Sequence, residues 1–258
     1  MATLWEQPAR RPVRAVLAGA LDPANARALV AIARGARRPL DFLSRYVRGG
    51  GSYPATIGVR TPTGPLQLTV HTFHDVRTVN EVFFRGDYRV ADPGRVVVDL
   101  GANIGVASAY FLSRRADARV HAFEPLASNV ERLRANVAPF GDRVVVHPVA
   151  VATEDGTARF GYEPTGRYGG IGNETGSYVE VECVDVNRAL REVLASEGRI
   201  DLLKIDVETL EAQLLAALDD DIARQIPNLC VELQPDRNPL AATHSMRQRG
   251  STAIFQRS

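Results

Sequence analysis

The sequence is poor in several residues that usually announce a function. Only two of its 258 residues are cysteine, Cys183 and Cys230, set in unrelated contexts. That pattern gives no metal-ligand spacing and no disulfide framework, so both are expected as reduced core residues. No apolar run approaches the roughly 20 residues of a membrane span. The N-terminal "MATLWEQPARRPVR" lacks the apolar core of a secretory signal. A cytoplasmic protein with no membrane partner is expected. The net charge of +1 provides no whole-protein field for nucleic acid, and no nucleic-acid partner is expected. Lysine is nearly missing: Lys204 stands alone beside thirty arginines. A compact ammonium and a planar guanidinium are not interchangeable at a tight site, which makes that one position a candidate for function.

What is present is ordinary globular composition, 45% hydrophobic and 24% charged. Residues 1–92 read as an N-terminal extension of helices and a hairpin. In "LDPANARALVAIARGA", Asp22 is placed to cap a helix with Pro23 at its first position. "RPLDFLSRYVRGGG" reads as a second helix stopped by glycines. "ATIGVRTPTGPLQLTVH" is a hairpin around a Pro/Gly turn. A helix then runs from about Asp75 to Gly86. The arginines here mark either a solvated helical face or a contact for an acidic partner or a homo-oligomer. Composition shifts near "VADPG", and residues 93–258 alternate between apolar strands and amphipathic helices. The strands are "RVVVDL", "RVHAFE", "RVVVHPVAV", "IDLLKID", "NLCVEL" and "STAIFQ"; a helix is expected over 103–115. "GTARFGY" and "YVEVECV" read as an antiparallel insert around a Gly-rich loop, 161–177, placed to act as a mobile lid. The expected fold class is α/β, a Rossmann-like doubly wound, mainly parallel sheet.

Ligands of such sheets bind beyond the carboxyl ends of the strands. The first strand runs into Asp99-Leu-Gly101-Ala-Asn103-Ile-Gly105, with Ser108 where a dinucleotide fingerprint has its third glycine. A carboxylate at Asp99 suits a ligand bearing an ammonium and a sulfonium better than a diphosphate. That favours S-adenosylmethionine. The next strand ends in Glu124, placed to accept from both hydroxyls of a ribose.

These stretches resemble the FkbM-type S-adenosylmethionine-dependent methyltransferases over about residues 56–235. The resemblance rests on "HDVRTVNEVFFRGDY", "VVVDLGANIGVAS", "AFEPLASNVERLRANV", "HPVAVATEDG", "IDLLKIDVETLE" and "PNLCVELQP". It implies methyl transfer to a hydroxyl of a small natural product or sugar. It also implies that Asp99, Gly101, Asn103 and Gly105 cradle the methionine part of the cofactor, with Ser108 at a matching polar position early in the first helix, where it either joins the cofactor site or back-bonds its own helix. Glu124 would then hold the ribose with Pro125 shaping the turn, and Asn129, Val149 and Ala150 would lie near adenine. One position departs from the pattern. Thr209 stands where the family has glycine after K-I-D-V-E, so the loop is expected either to take another path or to use Thr209 as a helix cap.

Methyl transfer needs alignment of acceptor, methyl and sulfur, and a group to take the acceptor's proton. In "LLKIDVE" Leu202, Lys204 and Asp206 share one strand face. Asp206 and Glu208 are the candidate bases, and Lys204 is placed to keep Asp206 ionised. A competing reading has Asp206, Glu208 and Glu232 binding Mg²⁺. His71 and His74 are candidate bases or caps, His121 and His147 are expected to be structural, and His244 lies in an uninformative tail. Tyr88 either closes over the site or packs the core. The alternatives to a methyltransferase are a nucleotide-dependent oxidoreductase on the same fold and a cofactor-binding protein without activity.

Overall fold

The computed structural model describes residues 23–165 and 168–257, with side chains from Arg27 onward. The expected cap at Asp22 and residues 166–167 of the expected lid lie outside them. The chain divides into two compact units, Met1–Gly86 and Asp87–Ser258.

The described part of the first unit holds α1 (Pro23–Gly35), α2 (Pro39–Arg48), the hairpin β1 (Ala55–Thr61) and β2 (Gly64–Val70), and α3 (Phe73–Val79). α2 stops at Gly49, which takes φ 65° and donates its N–H to the Arg45 carbonyl. α3 opens on a reciprocal cap, with the Thr72 hydroxyl accepting from the Asp75 N–H and the Asp75 carboxylate accepting from the Thr72 N–H. It runs on as a π-helical turn, Asn80–Arg85, closed by Gly86 at φ 70°. The core of this unit is built on Phe42, whose ring meets Phe84 edge-on at 4.9 Å.

In the second unit a seven-stranded sheet has the order β12-β13-β11-β10-β3-β4-β5. Its strands are β3 (Val96–Leu100), β4 (Arg119–Phe123), β5 (Val144–His147), β10 (Leu202–Ile205), β11 (Asn228–Val231), β12 (His244–Arg249) and β13 (Thr252–Arg257). The pairs from β5 to β11 are parallel; β13 runs antiparallel to β11 and β12. β3 sits at the switch in strand order, with β4 on one side and β10 on the other. The pleat sorts its residues. Val96, Val98 and Leu100 enter a core with Leu190 and Val193 of α6 (Val186–Glu197) and Leu214 and Leu215 of α7 (Glu211–Ala217). Asp99 points the other way, toward Ser108 of α4 (Val106–Leu112). The sheet is therefore covered on both faces, as its apolar strands require.

A second sheet, β6-β9-β7-β8, carries the insert. It comprises β6 (Ala150–Ala152), β7 (Gly156–Tyr162), β8 (Gly169–Ile171) and β9 (Ser177–Asp185). β7 and β9 are antiparallel, as read from the sequence. Phe160, Val181 and Cys183 pack with Leu126 into a small core of their own.

Four expectations need correction. "RVVVHPVAV" is two strands in two sheets, β5 and β6, because Pro148 has no N–H for a ladder. The helix expected over 103–115 covers only Val106–Leu112, since Asn103 and Gly105 take φ 50° and 83° and shape a loop. The 161–177 stretch contains β8, paired with β7, and is not wholly loop. The tail forms the β12–β13 hairpin, where His244 is 1% exposed and its Nε2 lies 2.9 Å from the Ile226 carbonyl oxygen. Among the described residues no helix is long and apolar enough to cross a membrane.

Leu203 of β10 has no exposed surface and belongs to the main core. Leu203→Ala is expected to cost about 2–5 kcal/mol of unfolding free energy. Leu40→Ala, at a leucine 83% exposed, should stay within about 0.5 kcal/mol. Urea denaturation of the two variants checks both.

Candidate functional site

The site is assembled where the carboxyl ends of β3, β4, β10 and β11 meet. Asp99 and Lys204 are register partners on the adjacent parallel strands β3 and β10. Both are buried, and Lys204 Nζ lies 2.8 Å from Asp99 Oδ1. The Ser108 hydroxyl donates to Asp99 Oδ2 at 2.6 Å. Lys204 also donates to the carbonyl oxygens of Gly101 at 3.0 Å and Leu100 at 3.4 Å, and stands 3.4 Å from Asp206 Oδ2. Burial alone would lower the Lys204 pKa, but the charges of Asp99 and Asp206 outweigh it and hold the ammonium well above its ordinary value.

Asp99 has no exposed surface, and Lys204 stands beside it. It anchors the glycine loop from behind. Ser108 is likewise fully buried and acts on Asp99. Lys204 is 1% exposed and holds the loop carbonyls and Asp206 together.

The loop itself is tightly specified. Gly101 takes φ 76°, and a Cβ there would collide with the Asp206 carbonyl oxygen; only glycine lets the two strand ends close together. Asn103, at φ 50°, accepts from the Ile104 N–H at 2.7 Å and donates its own N–H to Glu124 Oε2 at 2.9 Å. Gly105 begins α4 at φ 83°, where a Cβ would lie 3.1 Å from Leu133 Cγ.

Glu124, beyond β4, is 5% exposed. It accepts from Asn103 N at Oε2, and from Leu126 N at 3.0 Å and Asn129 Nδ2 at 3.4 Å at Oε1. Burial lifts its carboxyl to about 7 against the pull of those donors. Three of about four acceptor positions are thus engaged, so Glu124 joins the glycine loop to α5 (Ala127–Val137) as well as facing the strand ends. Pro125 lines a shallow surface cleft with Val130, Arg134 and Pro148. Val149 packs against the main core and Ala150 sits in the insert core, so both offer packing and backbone, not polar side chains.

Beyond β10, Asp206 is partly exposed and accepts from the Tyr88 hydroxyl at 2.8 Å. Glu232, one residue past β11, lies beside it; the two carboxyls share a hydrogen bond. Ser251 Oγ donates to Glu232 Oε1 at 2.8 Å. Burial opposes ionisation of Asp206, but Lys204, the Glu232 hydrogen bond and the Tyr88 hydroxyl outweigh it and hold the carboxyl below the ordinary range. Glu232 moves the other way. Lost solvation, then the charge of Asp206, lift it to about 8. Glu232 still meets solvent, so screening limits what that shift is worth in stability. The pair carries a single proton at neutral pH. Burial and the Asp206 charge likewise raise Tyr88 well above its ordinary value, so it remains a hydrogen-bond donor.

The loop after Asp206 keeps the backbone that a glycine would take. Glu208 and Thr209 lie at φ 58° and 82°, strain of about 1–3 kcal/mol for each. Thr209 does not cap the next helix; its hydroxyl donates to the Ile171 carbonyl oxygen at 2.8 Å. The N–H of Val207 goes to Glu211 Oε1 at 3.0 Å. Tyr88, left between two roles by the sequence, is therefore both buried and at the site. Ser251 and Glu211 carried no signal of their own, because each is recruited by a partner far away or in an irregular loop. The histidines of β4 and β5 engage one another: His121 Nδ1 lies 3.1 Å from His147 Nε2, and His121 Nε2 lies 3.1 Å from Glu197. Burial, then His121, lowers His147 to about 4. Among the described residues no cluster of three or more His, Cys, Asp or Glu has metal-holding geometry.

A doubly wound sheet with a glycine loop after its first strand and acids at the next strand ends defines the Rossmann-like methyltransferase class. Residues 99–249 match the methyltransferase FkbM domain. The chain belongs to that family. It is 31% identical over 214 residues to the AMB antimetabolite synthetase AmbE of Pseudomonas aeruginosa, a match covering 69% of this chain and 10% of that protein. It is 32% identical over 162 residues to the 31-O-demethyl-FK506 methyltransferase FkbM of Streptomyces tacrolimicus, covering 50% of this chain and 61% of the relative. The chain therefore spans less than two thirds of the length of either. A solved methyltransferase from Geobacter sulfurreducens aligns with a TM-score of 0.36 at 18% identity, over 64% of this chain and 71% of that one.

Lys204→Met would strip Asp99 of its buried partner. It is expected to cost about 3–5 kcal/mol, and Lys204→Arg should not restore it. The double variant Asp99→Asn/Lys204→Met should lose much less than the sum of the two single changes. Chemical denaturation of the parent protein, Lys204→Met, Lys204→Arg, Asp99→Asn and the double variant checks this.

Proposed function

We propose that the protein is an S-adenosylmethionine-dependent methyltransferase acting on a hydroxyl of a small natural-product or sugar acceptor. One observation carries the reading: the polarity of the strand-end cleft. Glu124, Asp206 and Glu208 stand at or just beyond the ends of β4 and β10, while Glu232, beyond β11, keeps a proton and adds no charge. The lysine among them is already engaged by Asp99. A dinucleotide's diphosphate would meet repulsion there, whereas a cationic donor meets complementary charge. The charge argument thus passes from Asp99, which is neutralised, to the acids in front of it. The name of the FkbM relative, an O-demethyl substrate and its methyltransferase, supports the choice of a hydroxyl acceptor.

The residues fit the donor. The glycine loop exposes backbone beside Glu124, whose remaining acceptor position suits a ribose hydroxyl. Bound there, the donor would supply an electrophilic methyl on a sulfonium. Asp206, ionised and oriented by Tyr88 and Lys204, accepts the hydrogen bond of the acceptor's hydroxyl and takes its proton. Glu208 flanks the same position. Glu232, protonated at neutral pH, keeps Asp206 aligned without adding a second negative charge.

Two measurements test the proposal. S-adenosylhomocysteine should raise the melting temperature while NAD should not, and Glu124→Gln should weaken binding by about tenfold or more. Equal shifts with both ligands would sink the donor assignment. The carboxyl pair also sets a pH dependence. Glu232 has a folded value of about 8, above the ordinary carboxyl range, so its stabilising contribution is full below that range and lost as pH rises through about 8. Relative to the parent protein, Glu232→Gln should therefore gain stability progressively between about pH 5 and 8. Melting temperatures across that range check the sign.

A further inference from the structure

The turn after β10 touches the insert sheet at an unusual place. Thr209 occupies positive φ, 82°, where a β-branched residue is disfavoured and glycine is at ease. What threonine adds is its hydroxyl, which donates to the Ile171 carbonyl oxygen at 2.8 Å. Ile171 is the last residue of β8, the edge strand of the insert sheet. β8 lies flush on the same turn: a Cβ at Gly170 would stand 2.6 Å from the Glu208 carbonyl oxygen and 3.3 Å from Glu208 Cβ. Its ladder is short, pairing with β7 only through Gly169, Gly170 and Ile171. Three residues at a sheet edge, two of them glycine, hold weakly by themselves.

We propose that Thr209 is a positioning residue whose hydroxyl fastens β8 to the 207–209 turn, fixing Glu208 and closing the acceptor side of the strand-end cleft. The name "acceptor side" rests on the proposed function; the tether does not. Gly170 gives the strand room to approach, and Thr209 gives it a reason to stay. The tether adds to a three-residue ladder and the packing of Ile171 on the insert core, so its loss loosens the wall and leaves the sheet intact.

Amide hydrogen exchange on the full chain tests this, with Thr209→Gly and Thr209→Ser beside the parent protein. Thr209→Gly keeps the backbone geometry and removes the hydroxyl; Thr209→Ser keeps the hydroxyl. Exchange over residues 168–173 should be about tenfold faster in Thr209→Gly and near the parent rate in Thr209→Ser, with β3 and α4 unchanged in both. S-adenosylhomocysteine affinity, measured by calorimetry, should stay within about threefold in both variants. Parent-like protection in Thr209→Gly, loss of protection in Thr209→Ser, or a uniform acceleration that includes β3 would each overturn the tether. If S-adenosylhomocysteine binds none of the three proteins while the exchange pattern holds, the donor assignment fails and the tether stands.

Discussion

The second unit depends on one buried ion pair, Lys204 with Asp99, across the β3–β10 switch. Two charges taken out of water are expensive unless their remaining hydrogen-bonding groups are satisfied. Here they are. Ser108 serves the carboxylate, and the ammonium serves the Leu100 and Gly101 carbonyls. The pair therefore fixes more than itself. It sets the height of the glycine loop above the strand ends, the position of the first turn of α4, and the side from which Asp206 is approached. An arginine could not replace the lysine easily, since a planar fork has no room among two carboxylates and two carbonyls. In a chain that otherwise uses arginine for every cation, this is a physical reason for one lysine.

From that pair a chain of alternating charge leads outward. Lys204 holds Asp206 ionised, Asp206 keeps the proton on Glu232, and Ser251 orients Glu232 from the β12–β13 hairpin. The β12–β13 hairpin, whose β13 runs antiparallel to β11, thereby contributes to the site. Tyr88, from the first residues of the same unit, completes the shell around Asp206. A carboxylate surrounded by three donors is a weak base but a well aimed one. On the proposed function, that suits a reaction in which the methyl acceptor loses its proton late and alignment supplies most of the rate.

Much of this was legible in the sequence because it is periodic or local. The parallel strands show as Val-rich runs, the hairpin as Pro/Gly punctuation, and the glycine loop as a spacing. The shared face of Lys204 and Asp206 follows from the pleat. What was not legible depends on long-range register. Nothing near Asp99 says that Lys204, more than a hundred residues later, will neutralise it, so a carboxylate destined for the interior read as a ligand contact. Pro148 was visible, but its consequence, two strands parting into different sheets, needed the third dimension. His244 looked like tail because the strand pairing that buries it joins β12 to β13 and then to β11.

Thr209 shows the same limit from the other side. The sequence identified the departure from glycine and the backbone problem it raises, and offered two escapes: another path, or a cap. The structure takes neither. The turn keeps positive φ at both Glu208 and Thr209, and the threonine uses its hydroxyl on a strand that a local reading had left as loop. The strain is thus set against a tertiary hydrogen bond, a trade between local conformation and packing that no local window contains. It also divides the cleft physically. On the proposed function, the donor side is built from glycines and a buried ion pair, with little freedom to vary. The other side is built from a short edge strand, a strained turn and one hydroxyl, where small substitutions can reshape the wall without disturbing the loop beneath β3.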